Sequence, residues 1–138
     1  MAIYDQYSIT DEKEGSTEKI QRILDNLGSA AGVKQALLVS EEGFPILVAR
    51  NRPMSAEIET LVSAMVAGIF STFSSACIKF DLGTDIDFIH VQTPLGLGLL
   101  SKIDSTILVL ITNADVKLGL MHYLVTSTRK KMLTIRDF

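Results

Sequence analysis

Few residues in this sequence have the types that acid–base, nucleophilic or metal chemistry requires. The chain of 138 residues contains two histidines, His90 and His122, and one cysteine, Cys77. Neither histidine has a cysteine or a carboxylate at the spacing of metal ligands. We therefore interpret both histidines as structural and Cys77 as a small core residue. The sequence predicts no catalytic residue and no metal site.

Two sequence patterns are typical of phosphate binding. This chain has one of them only in part and lacks the other. The run LGLGLL at 95–100 contains Gly96 and Gly98 but lacks the third glycine and the following helix of a dinucleotide-binding loop. A Walker-type sequence does not occur. We therefore expect no bound cofactor.

The composition is that of one ordinary globular domain. Apolar residues make up 47% and charged residues 21%, with a formal net charge of −3, and this length is enough for a single core. A slightly acidic chain without a basic run interleaved with aromatics argues against nucleic-acid binding. We attribute the one basic cluster, residues 129–131, to the dipole at the end of a last helix. A lone cysteine and an N-terminus without an apolar signal core predict a cytoplasmic protein.

Residues 55–78 are the most informative segment, because they predict a helix with two different faces that we expect to be shielded from water. One face is bulky and apolar, and the other has only small residues. At 100° per residue the bulky side chains fall on one stripe, which we expect to face the core. These are Ile58, Leu61, Val62, Met65, Val66, Ile69, Phe70, Phe73 and Cys77. The opposite side has only small residues, and no charge occurs between Glu59 and Lys79. These are Thr60, Ser63, Ala64, Ala67, Gly68, Ser71, Ser74 and Ser75.

Three different contacts could shield the small-residue side of this helix from water. A membrane-spanning helix needs about 20 mostly apolar residues, but the hydroxyl side chains here collect on one side, so we expect no membrane insertion. A longer loop or the N-terminal leader is a second cover. Small residues along almost the whole helix favour the third, a second polypeptide that approaches closely.

The remaining pattern predicts an α+β domain with the element order αββαβββα. We expect a flexible leader over 1–15, a domain over 16–131 and a tail over 132–138. The first helix should begin at Ser16 or Thr17 and end at Gly28, and the last should be capped by Asn113 or Asp115. Strands are predicted at 33–40, 44–50, 85–92, 93–102 and 105–112. Because Pro45 cannot donate a ladder hydrogen bond, the second strand should lie at a sheet edge.

This element order resembles the roadblock family. The hairpin LLVSEEGFPILVAR (37–50), the long second helix and the closing sequence ITNADVKLGLMHYL (111–124) carry the resemblance. It implies a five-stranded antiparallel sheet with strand order 2-1-5-4-3, the second helix on one face and the other two helices on the opposite face. It also implies a dimer in which second helices and third strands pair, and binding to small Ras-like GTPases or to other roadblock proteins.

The residues and the resemblance together give a set of expected interface positions. The third strand contains no proline or lysine, which on edge strands commonly prevent pairing with another chain. It can therefore accept a strand from a second chain. Asp85 and Asp87 count against symmetric pairing if the register brings them close to their own copies. The expected dimer or partner interface is Thr60, Ser63, Ala64, Ala67, Gly68, Ser71, Ser75, Ile86, Phe88 and His90.

Arg50 and Arg52 lie in the loop that enters the long helix. An arginine beside a transferring phosphate accelerates GTP hydrolysis, so both are candidate GTPase contacts, although loop arginines are usually solvated. We expect a non-enzymatic dimeric adaptor that binds a small Ras-like GTPase. A structural scaffold of the motor light-chain type and a GTPase-activating protein that supplies Arg52 are the alternatives. Ligand sensing is a weaker one, because the sequence shows no convergent polar cluster.

Overall fold

A computed structural model describes the backbone of residues 2–135 and the side chains of residues 15–135. The elements follow the predicted αββαβββα order. In chain order they are α1 (Ala2–Gly28), β1 (Val33–Ser40), β2 (Pro45–Val48), α2 (Ala56–Lys79), β3 (Phe88–Thr93), β4 (Gly96–Ile103), β5 (Thr106–Asn113) and α3 (Leu118–Leu133).

The five strands form one antiparallel sheet in the order β2-β1-β5-β4-β3, which confirms the predicted fold class and strand order. β1 and β5 are inner strands, and both are apolar on both sides because helices cover both sheet faces. β2 lies at one edge and begins at Pro45, as the missing amide donor predicted. β3 lies at the other edge and pairs only with β4.

Two apolar clusters lie on opposite faces of the sheet. Leu38 and its strand neighbours pack with Leu24 of α1 and Val125 of α3. Leu37, one residue earlier, packs in the other cluster with Val66 and Phe70 of α2. Alternate residues of a strand point to opposite faces, so α2 covers one face while α1 and α3 cover the other, as the resemblance implied.

α1 begins earlier than the sequence pattern predicted. It starts at Ala2, so the predicted helix start at Ser16 or Thr17 is wrong. The flexibility of residues 1–15 stays a prediction. The sequence from Ala2 to Glu14 contains no proline and no glycine, so nothing interrupts helical hydrogen bonding. The single glycine that follows, Gly15, is tolerated in open space.

Several strand and helix boundaries differ from the predicted ones. β3 ends and β4 begins around a tight turn in which the Thr93 hydroxyl oxygen accepts hydrogen bonds from the amides of Leu95 and Gly96 at 3.2 and 3.1 Å. The predicted β4 start at 93 is therefore wrong. Asn113 does not cap α3, because it is the last residue of β5. Lys117 occupies the N-cap position without a side-chain hydrogen bond. Of the predicted tail, residues 136–138 lie outside the described part.

α2 begins as predicted. The hydroxyl oxygen of Ser55 accepts a hydrogen bond from the amide of Ile58 at 3.3 Å, and Glu57 and Glu59 stand in the first turn. In the described part of the chain, this is the one helix whose length and hydropathy would suit a membrane span. It packs on the sheet through Val66 and Phe70, while most of its other large apolar side chains are exposed.

Candidate partner-binding surface

The side of α2 that faces the sheet combines bulky and small residues. Ser63, Val66, Ala67 and Phe70 are buried, and the Ser63 hydroxyl donates to the carbonyl of Glu59 at 2.7 Å. The assignment of Ser63 and Ala67 to an intermolecular interface is therefore wrong. Their small size serves the chain itself, because the turn between β1 and β2 packs closely on this part of the helix.

Gly43 shows how close that approach is. It has a φ of +98°, and a Cβ built on it would lie 3.3 Å from the Cα of Ala64 and 3.6 Å from the Cβ of Ala67. A larger side chain at position 67 would push the hairpin away from the helix. The small residues of α2 thus have an intramolecular cause on this side.

Most of the bulky stripe lies in solvent, where the sequence analysis expected core. Leu61 and Met65 are 57% and 59% exposed. The side of α2 that meets the sheet is rotated toward the small residues, so only part of the stripe reaches the core. We call the five exposed side chains the apolar flank: Ile58, Leu61, Met65, Ile69 and Phe73.

The other small residues of α2 are exposed on the side of the helix next to the β1–β2 turn, which approaches the backbone of Ala64. At 100° per residue their directions differ from that of Phe70, which is buried against the strands, by about 80–160°. We call them the small crown: Thr60, Ala64, Gly68, Ser71 and Ser75. No charged side chain interrupts the crown or the apolar flank. The prediction that the crown is an interface stays open.

The free edge of β3 continues the apolar flank. Val91 is exposed on the α2 side of the sheet, and His90 is exposed on the other side. Ile86 precedes the strand and packs, half-buried, against the α2 cluster. Phe88 packs, half-buried, in the cluster of α1 and α3, and its ring centroid lies 4.3 Å from that of His122. Ile86 and Phe88 thus contact their own chain.

Asp85 and Asp87 count against a symmetric β3–β3 pairing only if the register brings them opposite their own copies. They precede Phe88, the first residue of the strand. An antiparallel pairing centred in β3 places the beginning of one strand opposite the end of the other. Each acidic pair would then lie near Thr93 of the second copy and far from its own counterpart.

An apolar groove of about 370 Å³ lies between α2 and the uncovered part of the sheet. Val62 and Ile69 form its helix side, and Val91, Leu97 and Ile111 belong to its strand side. Lys34 is the charged residue in its lining. The groove is continuous with the apolar flank, since Ile69 belongs to both.

The residues considered for chemistry remain apart. Cys77 is half-buried and unpaired, and within the described part no three potential metal-ligating side chains come together. Arg50 forms ion pairs with Glu18 and Asp25 at 2.9 and 2.7 Å. The guanidinium of Arg52 donates to the carbonyl of Gly28 at 3.1 Å. Both arginines thus have partners on α1, and their role as GTPase contacts stays a prediction.

Sequence reasoning missed the apolar flank and Val91 as surface. The sequence did indicate an unusual helix, because no charged residue occurs between Glu59 and Lys79. A helical projection orders side chains by direction, but it does not say which of two uncharged sides packs against the sheet. The exposed fraction of each side chain decides this, and it depends on the tertiary packing.

The domain thus combines the αββαβββα order with an exposed apolar helix flank and a free edge strand. The Roadblock/LC7 domain family matches residues 19–112, and the chain belongs to this family. No curated protein matches the chain at a significant level.

Solved structures share the fold at low sequence identity. A Roadblock/LC7 domain from Streptomyces avermitilis is 20% identical, with a TM-score of 0.71, over 80% of this chain and 91% of that chain. Myxococcus xanthus MglB is 18% identical, with a TM-score of 0.75, over 85% of this chain and 94% of its own. The gliding protein MglB from Thermus thermophilus is 18% identical, with a TM-score of 0.75, over 88% of this chain and 91% of its own.

Proposed function

We propose that this chain is a non-enzymatic adaptor that dimerises through the apolar flank and β3, and binds a small Ras-like GTPase on the small crown. One observation carries the proposal: the apolar flank of α2 is exposed directly beside an unpaired strand edge. Burying large apolar side chains is worth about 1.5–3 kcal/mol each. A second copy, or another roadblock chain, would pair with the free backbone groups of the β3 edge and bury the apolar flank in the same contact.

Dimerisation leaves the crown free for a second partner. The flank points away from the buried side of α2 and toward β3, whereas the crown lies on the other side of the helix, next to the β1–β2 turn. The crown of each chain then stays exposed as a surface from which few side chains project. Such a surface allows the backbone of a partner to approach closely, and membership of the roadblock family supports a GTPase as that partner.

A regulator of this kind needs no catalytic group of its own. It acts by binding one conformation of the GTPase switch loops more tightly than the other, and the shift in population follows from that difference. The effect on hydrolysis then depends on residues of the GTPase.

A matched pair of substitutions on α2 tests the two surfaces. Met65→Arg places a charge in the flank and should give a monomer in light scattering at micromolar concentration. Gly68→Arg places the same charge in the crown, where a Cβ at Gly68 meets no atom within 4 Å, and should leave the dimer intact. A wild-type chain that is monomeric at every concentration rejects the dimer, and a dimeric Met65→Arg rejects the flank.

The partner is tested with purified Ras-like GTPases from the same genome, each loaded with GDP or with a non-hydrolysable GTP analogue. The wild-type protein should retain one of them with a clear nucleotide preference, and Gly68→Arg should lose it. A structural scaffold would be indifferent to the nucleotide. Equal retention of both forms, or none, rejects the regulator.

A further inference from the structure

A polar cavity of about 260 Å³ lies at the end of the sheet where β3 begins. Phe70 and Ser74 of α2 and Arg129 of α3 contribute to its wall, although the two helices cover opposite faces of the sheet. The remaining lining residues are Thr84, Asp85, Ile86 and Asp87 before β3, Lys102 in β4 and Asp104 in the turn between β4 and β5. The cavity therefore lies at the opposite end of β3 from the apolar groove, which reaches Thr93 and Leu95.

Local contacts hold this lining in place. The Ser101 hydroxyl donates to the carbonyl of Asp87 at 3.1 Å, which fixes the segment before β3 onto β4. Nζ of Lys102 lies 3.2 Å from Oε2 of Glu41, which follows β1. Asp104 has a φ of +53°, a conformation that aspartate adopts more readily than most residues. The lining comes from segments far apart in the chain, so the sequence shows no convergent polar cluster where the fold makes one.

Arg129 brings an unpaired guanidinium to the cavity. Its Nε atom is buried and donates to no residue in the described part of the chain. The guanidinium also forms no ion pair with any residue of that part. Most buried polar groups in proteins have a partner, because an unpaired one costs free energy. A ligand carboxylate would give this guanidinium its strongest type of hydrogen bond, on the terminal nitrogens.

Three carboxylates of the lining are unpaired as well. Within residues 15–135, Asp85, Asp87 and Asp104 form no ion pair, and Lys102 is already paired with Glu41. Three carboxylates thus remain against one guanidinium, an excess of two negative charges. A divalent cation does not account for this excess, since no three potential metal ligands in the described part come together to hold one.

We propose that this cavity binds a small basic amino acid of the lysine or ornithine type. Its carboxylate pairs with Arg129, and its two ammonium groups lie among the three aspartates. Its methylene chain lies against Phe70 and Ile86, the apolar residues of the lining. The cavity is slightly smaller than sites for drug-sized ligands, about 300–1,000 Å³, which suits a molecule of this size.

Simpler ions satisfy only half of the lining. An inorganic anion would pair with Arg129 but would be repelled by the three aspartates. A diamine would pair with the aspartates but would leave the guanidinium without an acceptor. A basic amino acid carries one negative and two positive charges, so it complements both parts of the lining at once.

Calorimetric titration of the wild-type chain with three small molecules tests the site. L-Lysine should bind with a dissociation constant of about 1 mM or lower, at physiological salt, where attraction between distant surface charges is screened. Cadaverine lacks the carboxylate and norleucine lacks the side-chain ammonium, so each should bind at least about tenfold more weakly. Absence of lysine binding overturns the proposal. Cadaverine that binds as tightly as lysine also overturns it, because this would show only an acidic surface that attracts cations.

Substitutions in the lining assign the charges. Arg129→Gln should weaken lysine binding at least about tenfold and leave cadaverine binding unchanged or stronger. Lys130→Gln removes an exposed cation from the same helix, outside the lining, and as the matched control should bind lysine as the wild type does. Equal lysine affinity for these two variants overturns the proposed site.

Asp104→Asn keeps the test valid if the Arg129 variant is unstable. Asp104 is exposed, and asparagine also tolerates its positive φ. This variant should weaken the binding of both lysine and cadaverine, and unchanged lysine affinity would overturn the proposal. All lining residues belong to one chain, so a failure here leaves the proposed dimer and GTPase partner standing, and a monomeric chain in light scattering leaves the site standing.

Discussion

Asp25 of α1 holds Arg50 at three points. Its carboxylate accepts hydrogen bonds from the Arg50 backbone amide at 2.8 Å and from Nε at 2.9 Å, and Nη2 lies 2.7 Å from the same group. Burial by itself would raise the pKa of Asp25. The hydrogen bonds from Arg50 and Gln21 outweigh it and hold the pKa below its ordinary value. This carboxylate therefore fixes the loop that enters α2 onto α1.

Asp25→Asn should lower the free energy of unfolding by about 1–2 kcal/mol at pH 7, because it removes charge-assisted hydrogen bonds. A carboxylate with a lowered folded-state pKa stabilises fully above its unfolded pKa, near 3.9, and loses this effect as pH falls through the folded value. The difference between wild type and variant should therefore shrink below about pH 4. Urea unfolding from pH 2 to 7, at fixed protein concentration, measures it.

Asp115→Asn is the matched control, since Asp115 is exposed in the turn after β5. It should change stability by less than about 0.5 kcal/mol at any pH. A difference for Asp25→Asn that does not change between pH 7 and pH 2 would show that the carboxylate charge has no part in the stabilisation.

Gly96 and Gly98 lie on one face of β4, and the structure separates their roles. A Cβ at Gly96 would lie 2.5 Å from the carbonyl oxygen of Thr112, whereas one at Gly98 would lie 3.6 Å from Cδ1 of Ile111. Gly96→Ala should cost about 1–3 kcal/mol, because backbone has to move. Gly98→Ala should be neutral or slightly stabilising, since glycine weakens a strand. Thermal unfolding in the monomeric Met65→Arg background compares them. Equal unfolding temperatures for the two variants would contradict the close approach at Gly96.

The fold was predictable because its signals are local and repeated. β1 is apolar throughout 33–40 and is observed at those residues, and Pro45 alone was enough to place β2 at an edge. The boundary at Thr93 was not predictable from hydropathy, because the turn depends on a side-chain hydroxyl that satisfies two amides. The start of α1 at Ala2 was missed because an acidic segment without apolar period was interpreted as coil.

The sequence analysis placed the candidate surface on α2, and the structure exposes a different set of side chains on that helix than the sequence analysis expected. Ser63 and Met65 differ in direction by two residues, about 200° on an α-helix. Side-chain size suggested that Met65 was core and Ser63 was interface. The structure reverses both, because the β1–β2 turn requires small residues beneath it. Only the packing of the hairpin, which no helical projection contains, decides between the two.

The N-cap of α2 gives a stability prediction at the entrance to the candidate surface. Ser55→Ala removes the acceptor for the Ile58 amide and should cost about 1 kcal/mol. Ser75→Ala, in the exposed interior of the same helix, should stabilise by a few tenths of a kcal/mol, since alanine is the better helix former. Chemical unfolding of both variants in the Met65→Arg background measures this. A Ser55→Ala protein as stable as its parent would show that the cap contributes nothing.

Arg52 distinguishes a regulator from an enzymatic activator. Its guanidinium donates to the carbonyl of Gly28 at the end of α1, and it would have to leave that contact to reach a bound nucleotide. Arg52→Ala should therefore leave any stimulated single-turnover rate of GTP hydrolysis within about twofold of wild type, whereas loss of an arginine finger costs about 10³–10⁵ in rate. Gly68→Arg, measured in parallel, should abolish the stimulation by preventing binding. A loss of a hundredfold or more with Arg52→Ala, at unchanged GTPase affinity, would instead identify the chain as an activator that inserts this arginine.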